Sequence, residues 1–240
     1  MKLPRIFLIA PLAFAFVSCN SSTLAPSGFL GADDARLTRN KMLPFSRSWK
    51  NPEADLSKFT TIAVTPMKTD RLRDLGKGLA AVSERNLGEN HRKDAEEFAN
   101  FATGEFQKGL DQSTGRQAFV QTGISIESKG LMILETNLVE VVPGSPAAQV
   151  VKLLIPFAGF VNRPSVGVEG RFVDAGTGKT LFAFSDRETP EISLIDRRRF
   201  SYYGTQRREA SRWADQLRKV VEGNASTTVN DAFWIQPISW

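Results

Sequence analysis

Hydrophobic residues recur along the chain in two patterns, one typical of strands and one typical of helices. Runs rich in β-branched and apolar residues predict five strands, at 59–65, 117–121, 131–142, 166–173 and 180–185. The last two strands flank the sequence DAGTG at 174–178, a glycine-containing loop of hairpin length. These two strands are therefore predicted to form an antiparallel hairpin.

Apolar positions at helical spacing predict two amphipathic helices, at 92–110 and 205–221. The apolar face of the first consists of Ala95, Phe98, Ala99, Ala102, Phe106 and Leu110. The apolar face of the second consists of Ala210, Trp213, Ala214, Leu217, Val220 and Val221. A further apolar stretch, 147–160, follows a Ser-Pro pair typical of a helix start, and it is either buried core or a surface that meets a membrane or a partner.

Strands and helices are mixed without strict alternation, which predicts an α+β fold. The hairpin favours a mostly antiparallel sheet, with helices packed on one face. The α+β domain is predicted to span residues 56–223, and residues 224–240 form a C-terminal tail. Residues 33–58 have no regular pattern and are predicted to be irregular.

The first nineteen residues have the features of an export signal. Lys2 and Arg5 precede an apolar run at 6–17, which is shorter than the ~20 residues needed to span a bilayer. The sequence FVSC at 16–19 resembles the lipobox of bacterial lipoproteins, in which the signal is cleaved before a lipid-modified cysteine. Residues 1–18 are therefore predicted to be a signal peptide and Cys19 a lipidation site that carries acyl chains such as palmitate. The alternative is an ordinary signal peptide with an incidental cysteine, or a cysteine buried in the core.

Residues 19–55 are predicted to form the lipidated cysteine, a tether and an irregular N-terminal segment. Residues 20–31 are rich in Ser, Gly and Pro, which predicts a flexible tether with an end-to-end distance of about 20 Å. Within it, Phe29 and Leu30 are expected to dock on the folded body, and the alternative is that they dock on the bilayer. Asn20 follows the cysteine, where Gram-negative lipoproteins retained at the inner membrane often have Asp. The resemblance therefore favours the periplasmic face of the outer membrane.

Composition limits the class of protein. A chain of 240 residues that is 41% hydrophobic and 24% charged suits a globular domain, not a collagen or a disordered chain. One Cys and one His make a His/Cys zinc site improbable, so we expect neither a metal nor a cofactor. Loss of residues 1–18 removes two of 31 basic residues and none of 26 acidic ones, which lowers the net charge from +5 to +3. This modest charge gives no case for nucleic acid as a partner.

The sequence shows no motif typical of a catalytic site. GTGKT at 176–180 lacks the first glycine of a phosphate-binding loop, and it lies between two predicted strands. His91 stands in a polar run and is expected to be exposed, and no G-x-S-x-G surrounds a serine. We therefore expect that the protein is not an enzyme. The alternative is an envelope glycan or lipid hydrolase with dispersed catalytic carboxylates.

The densest basic patch lies near the C-terminal helix and is a candidate binding surface for lipid phosphates or an acidic partner. It consists of Arg197, Arg198, Arg199, Tyr202, Tyr203, Arg207, Arg208 and Arg212. We favour the alternative that these residues form a solvated helix face and its preceding loop, with some arginines paired to Asp196 or Glu209.

Short motifs along the chain resemble an uncharacterised family of bacterial outer-membrane lipoproteins, known as a domain of unknown function. The motifs are Cys19, SGFL at 27–30, NPEAD at 51–55, the strand at 60–66, VPG at 142–144, EG at 169–170, DAGTG at 174–178 and WA at 213–214. The resemblance implies a lipoprotein with a small α+β body and carries no catalytic residues. We expect a non-enzymatic binding or envelope-assembly accessory, with the membrane and an envelope protein as partners. Its ligand and oligomeric state stay open, including a structural role in an oligomeric ring.

Overall fold

The computed structural model describes residues 23–39, 45–73, 87–113, 115–120, 130–142, 165–189 and 204–223. In this part of the chain, six strands form one sheet, accompanied by two α-helices and two short 3-10 helices. The strands are β1 (Arg47–Lys50), β2 (Thr61–Val64), β3 (Gln117–Val120), β4 (Leu131–Val142), β5 (Ser165–Asp174) and β6 (Thr180–Glu188). The α-helices are α1 (Leu87–Asp111) and α2 (Gly204–Glu222), and the 3-10 helices are Gly31–Arg36 and Leu56–Lys58.

The strand order in the sheet is β1-β6-β5-β4-β2-β3. Strands β4, β5, β6 and β1 pair antiparallel, whereas β2 pairs parallel with both β4 and β3. The α+β class is confirmed, but the sheet is mixed, so the prediction of a mostly antiparallel sheet is wrong. The physical reason is that α1 lies between β2 and β3 in the chain, and a connection of that length allows the two strands to run in the same direction.

The predicted elements occur where the hydrophobic pattern is long. Strand β4 spans the predicted residues, α1 and α2 extend slightly beyond theirs, and β5 and β6 form the predicted hairpin. In the turn of this hairpin, the backbone N–H of Gly178, a residue with a φ of 68°, donates to the carbonyl of Asp174 at 2.8 Å.

The prediction that 33–58 is irregular is wrong at β1, because a strand of four residues is too short to show a hydrophobic pattern. Residues 147–160 and 224–240 lie outside the described residues, and the predicted domain limits stay predictions.

One face of the sheet carries the main hydrophobic core, and both described α-helices pack on it. The predicted apolar faces of the two helices are at most 4% exposed, because they meet the sheet and each other. The helices approach closely at Gly109, where an added Cβ would lie 2.9 Å from the Cβ of Ala214. Aromatic rings fill the centre of this face, with Phe45 stacked on Phe184 at 4.3 Å between ring centroids.

The opposite face of the sheet is covered by an N-terminal segment, residues 23–38, which we call the strap. Leu30 and Leu37 of the strap pack with Ala183 of β6 and with Trp49 of β1. The prediction that Phe29 and Leu30 dock on the body is confirmed. The prediction of a flexible tether over 20–31 is wrong from Leu24 onward, because Leu24 and Leu30 are each 2% exposed.

Candidate functional site

Three arginines of the predicted binding patch lie on α2. The guanidinium of Arg207 lies 5.1 Å from the ring centroid of Phe101 on α1, and Arg208 lies 3.7 Å from the carboxylate of Glu209. The guanidinium of Arg212 contacts the carboxyl group of Glu188 and, at 3.0 Å, that of Glu209. All three therefore contact groups of this chain. The remaining five residues, Arg197, Arg198, Arg199, Tyr202 and Tyr203, lie outside the described residues, and binding by the patch stays a prediction.

The carboxyl groups of Asp186, Glu188 and Glu209 lie close together where the end of β6 meets α2. Asp186, 2% exposed, accepts from the backbone N–H of Ser46 at 2.9 Å and from Nε1 of Trp213 at 2.7 Å. Glu209 is also 2% exposed. Burial, followed by the negative charge of Asp186, raises the pKa of Glu188 to about 8, although the Arg212 guanidinium opposes this shift. Burial also raises the pKa of Glu209.

A carboxyl group that keeps its proton near neutral pH is a feature of many general acids. In this cluster the carboxylates are held by Arg212 and Trp213 of α2, so the described contacts join β6 to the helix. Sequence reasoning missed the cluster, but a signal was present. Positions 182, 184, 186 and 188 share one face of β6, and the two phenylalanines at 182 and 184 indicate that this face points into the core.

An open groove of about 740 Å³ lies between α1 and residues 67–72, which follow β2. Met67, Leu72 and Ala99 contribute apolar surface to it. Its polar lining includes two cations and two carboxylates, together with an amide: Lys68, Arg92, Asp70, Glu96 and Asn100. The groove is open and its lining is mostly polar, and the mixed charges suit a peptide segment that carries both charges. No motif in the sequence indicated this groove.

The sheet face beneath the strap is polar and nevertheless buried. Asn137, Glu169 and Ser185 are register neighbours on β4, β5 and β6, and each is at most 1% exposed. The two carboxylate oxygens of Glu169 accept hydrogen bonds from Ser27, from its backbone N–H at 3.0 Å and its hydroxyl at 2.6 Å. The strap therefore supplies the hydrogen bonds that a buried carboxylate requires.

Ion pairs lie on both sides of Glu169 on this face. Arg171 contacts Glu135 at 2.8 Å, and Arg187 contacts Glu140 at 2.7 Å. Farther along the strap, Asp33 accepts a hydrogen bond from the hydroxyl of Thr180 at 2.7 Å. The strap is thus joined to the sheet by polar contacts as well as by its leucines.

His91, which was expected to be exposed, is 6% exposed, and that expectation is wrong. Helix α1 begins at Leu87, so His91 lies inside the helix rather than before it. From there it shares a face with the buried residues Ala95 and Phe98, at helical spacing.

The described ranges contain no group of three His, Cys, Asp or Glu side chains that could hold a metal ion. Within the same ranges, no helix combines the length and the apolar character needed to cross a membrane. Cys19 lies outside the described residues, so its predicted lipidation stays a prediction.

The architecture is an α+β body whose mixed sheet is covered by helices on one face and by an N-terminal strap on the other. The model of the family described as "Protein of unknown function (DUF3313)" matches residues 25–217, and the chain belongs to this family. The resemblance to a family of unknown function is thereby confirmed. No curated protein matches the sequence significantly.

Several solved structures are similar to this chain. One is the PelC dodecamer from Paraburkholderia phytofirmans, at 11% identity over 72% of this chain and 95% of that chain, with a TM-score of 0.42. Another is the hypothetical protein CT253 from Chlamydia trachomatis, at 12% identity over 69% and 97% of the two chains, with a TM-score of 0.36. A third is the lipoprotein GNA1162 from Neisseria meningitidis, at 17% identity over 66% and 96%, with a TM-score of 0.23.

Proposed function

We propose that the protein is a lipid-anchored bacterial envelope protein that holds a non-enzymatic binding body at the periplasmic face of the outer membrane. The anchor is Cys19, in a sequence that resembles a lipobox. The observation that carries the proposal is the strap, whose first buried residue, Leu24, follows Cys19 by five positions. A folded body that begins so soon after the modified cysteine is what a membrane-held binding protein needs, because its surfaces then stay close to the envelope.

The anchor is tested by replacing Cys19 with Ser in the full-length protein and following labelled palmitate and cell fractionation. We expect the wild-type protein to incorporate the label and to sediment with membranes, and the variant to do neither. Ser18→Ala is the matched control, since it keeps a small residue before the cut and should leave both properties intact. A variant that still sediments with membranes, together with a wild type that incorporates no palmitate, would contradict the proposal.

The groove beside α1 is the binding surface we propose for an envelope protein partner. A photo-crosslinking residue at Asn100, which lines the groove, should form an adduct in native membranes. The adduct should be lost when the groove charge is reversed in Arg92→Glu, and it should persist in Lys93→Glu, where the exposed lysine is not among the groove residues. Equal adducts in both variants would show that the groove does not determine binding.

A second candidate function is the envelope glycan or lipid hydrolase. The observation that favours it is Glu188, whose pKa is raised to about 8 beside the carboxylate of Asp186. The purified body would then hydrolyse envelope glycan or phospholipid, and Glu188→Gln would abolish turnover while the protein stayed folded. We expect no turnover by the wild-type protein, and any turnover that Glu188→Gln removes would overturn the non-enzymatic proposal.

A further inference from the structure

The position of the strap limits how far the body can lie from its anchor. Leu24 is 2% exposed and follows Cys19 by five positions. Five residues in the most extended conformation span about 18 Å. If Cys19 is lipidated, as we propose above, the Cα of Leu24 must lie within about 18 Å of the cysteine Cα at the membrane surface.

Leu24 contacts one particular end of the sheet. A Cβ added at Gly167 would lie 2.6 Å from Cδ1 of Leu24, and Gly167 is the register neighbour of Glu140 on β4 and of Arg187 on β6. At this end β4 and β6 finish and β5 begins, and we call it the Leu24 end. The opposite end carries the turn between β5 and β6, at 174–178, and we call it the hairpin end. Because β5 has ten residues, the two ends are about 30 Å apart.

The strap runs from the Leu24 end towards the hairpin end. Ser27 binds Glu169 in the middle of β5, and Phe29 lies 5.7 Å from the guanidinium of Arg171. Asp33 reaches Thr180, the first residue of β6, at the hairpin end. The described strap therefore begins at the Leu24 end, and the five positions between Cys19 and Leu24 are too short to reach the hairpin end.

We propose that the Leu24 end of the sheet faces the lipid bilayer and the hairpin end points away from it. The partner of this surface is the layer of lipid head groups. Two arginines lie at this end and share one carboxylate: Arg73 donates to the carbonyl of Ala25 and lies 3.7 Å from Glu140, and Arg187 is paired with Glu140 as well. Their side chains remain 36% and 26% exposed, and cations near the surface are attracted to anionic lipids.

The orientation can be measured by energy transfer from two matched positions. Cys19 is the single cysteine of the chain, so once it is acylated an introduced cysteine is the only thiol for a donor fluorophore. Thr189 is exposed and follows β6 at the Leu24 end, and Lys179 is exposed and precedes β6 at the hairpin end. Full-length lipidated Thr189→Cys and Lys179→Cys proteins are reconstituted into phosphatidylethanolamine–phosphatidylglycerol vesicles that contain an acceptor-labelled lipid head group.

We expect clearly higher energy transfer from position 189 than from position 179, because the two sites lie about 30 Å apart at opposite ends of β6. Equal transfer from both positions, or higher transfer from 179, would overturn the orientation. Flotation of the same vesicles separates this result from the anchor itself. Protein that floats but shows equal transfer keeps the anchor and loses the orientation, whereas protein that does not float overturns both.

A linker insertion tests whether the short connection causes the orientation. A Gly/Ser insertion of about twelve residues between Ser22 and Thr23 adds roughly 20 Å of reach and leaves every strap contact in place. We expect the difference between positions 189 and 179 to shrink in this variant. An unchanged difference would show that another surface holds the body on the bilayer, and it would overturn the short connection as the cause.

Discussion

The two faces of the sheet are both buried, but by different means. On the helix face, Trp213 and Phe106 are fully buried in a continuous apolar core between the sheet and two helices. On the strap face, the central residue is Glu169, a carboxylate 1% exposed that accepts two hydrogen bonds from Ser27. Apolar burial stabilises a fold roughly in proportion to area, whereas a buried carboxylate only avoids a penalty when it is hydrogen-bonded. The helix face therefore carries the global stability, and the strap face carries a separable contact.

We expect the strap to detach from the sheet more easily than the helices do. Segments with few apolar contacts open at lower free energy than the core, without global unfolding. The strap has three buried leucines along its length, at positions 24, 30 and 37. We expect it to open locally while α1, α2 and the sheet remain folded, which would lengthen the connection between the membrane and the body.

The largest effect is expected from truncation on the helix face. Phe106→Ala removes a fully buried ring and should lower the free energy of unfolding by about 3–5 kcal/mol. Leu30→Ala, its counterpart on the strap face, should lower it by less than about 2 kcal/mol, because the loss is limited to the free energy of strap docking. Urea denaturation followed by far-UV circular dichroism measures both. Equal losses would show that the two faces unfold together.

A steric test on the helix face should have the next largest effect. Gly109→Ala places a Cβ 2.9 Å from the Cβ of Ala214 and should cost about 1–3 kcal/mol. Gly104→Ala is the matched control on the same helix, where no atom lies within 4 Å of an added Cβ. The control should gain about 0.5–1 kcal/mol through helix propensity. Thermal unfolding measures the opposite shifts, and two shifts in the same direction would contradict the close packing of the helices.

A pH test examines the carboxylates beneath α2. Folding raises the pKa of Glu188 from 4.5 to about 8, so the folded state keeps a proton that the unfolded state has lost. Stability from this group is complete below pH 4.5 and is lost as the pH rises towards 8. Denaturation across this range should show a smaller decrease for Glu188→Gln than for the wild-type protein. Parallel pH profiles would contradict the raised pKa.

The smallest effect is expected from removing one hydroxyl group of the strap. Ser27→Ala removes the 2.6 Å hydrogen bond to buried Glu169 and should favour strap opening by about 1 kcal/mol. Ser57→Ala is a matched control, because it removes a hydrogen bond of the same length to Asp55 at an exposed site. Amide exchange of the strap should rise several-fold in the first variant and stay unchanged in the second. Strap exchange that is unchanged in Ser27→Ala would show that this contact does not hold the strap.

Local pattern was sufficient to predict the helices and most strands. In α2, helical spacing identifies the face that contains Trp213 and Leu217, and both are fully buried. Pairing direction could not be predicted, because β2 is only four residues long and its parallel neighbours come from distant parts of the chain. A strand pattern specifies which residues share a face, but not which strand lies beside it.

The contact between the strap and the sheet could not be predicted from the sequence either. Strand β5 alternates, with Glu169 and Arg171 on one side, and this pattern is typical of a strand with one face in water. The structure buries Glu169 beneath Ser27, a residue 142 positions earlier in the chain. No periodic signal connects two residues at that separation, so the strap and the groove appear only in the folded structure.

Hydrogen exchange of the full-length protein tests most directly whether the strap opens separately from the rest of the fold. The amide of Ser27 is bound to Glu169, and that of Thr38 to the carbonyl of Ser48 at 3.2 Å, so both should be protected. The account predicts that these amides exchange much more slowly than in an unfolded chain, but well before those of α1 and β4. Exchange at the rate of an unfolded chain would show that the strap is not docked, and exchange together with β4 would show that the two faces form one cooperative unit.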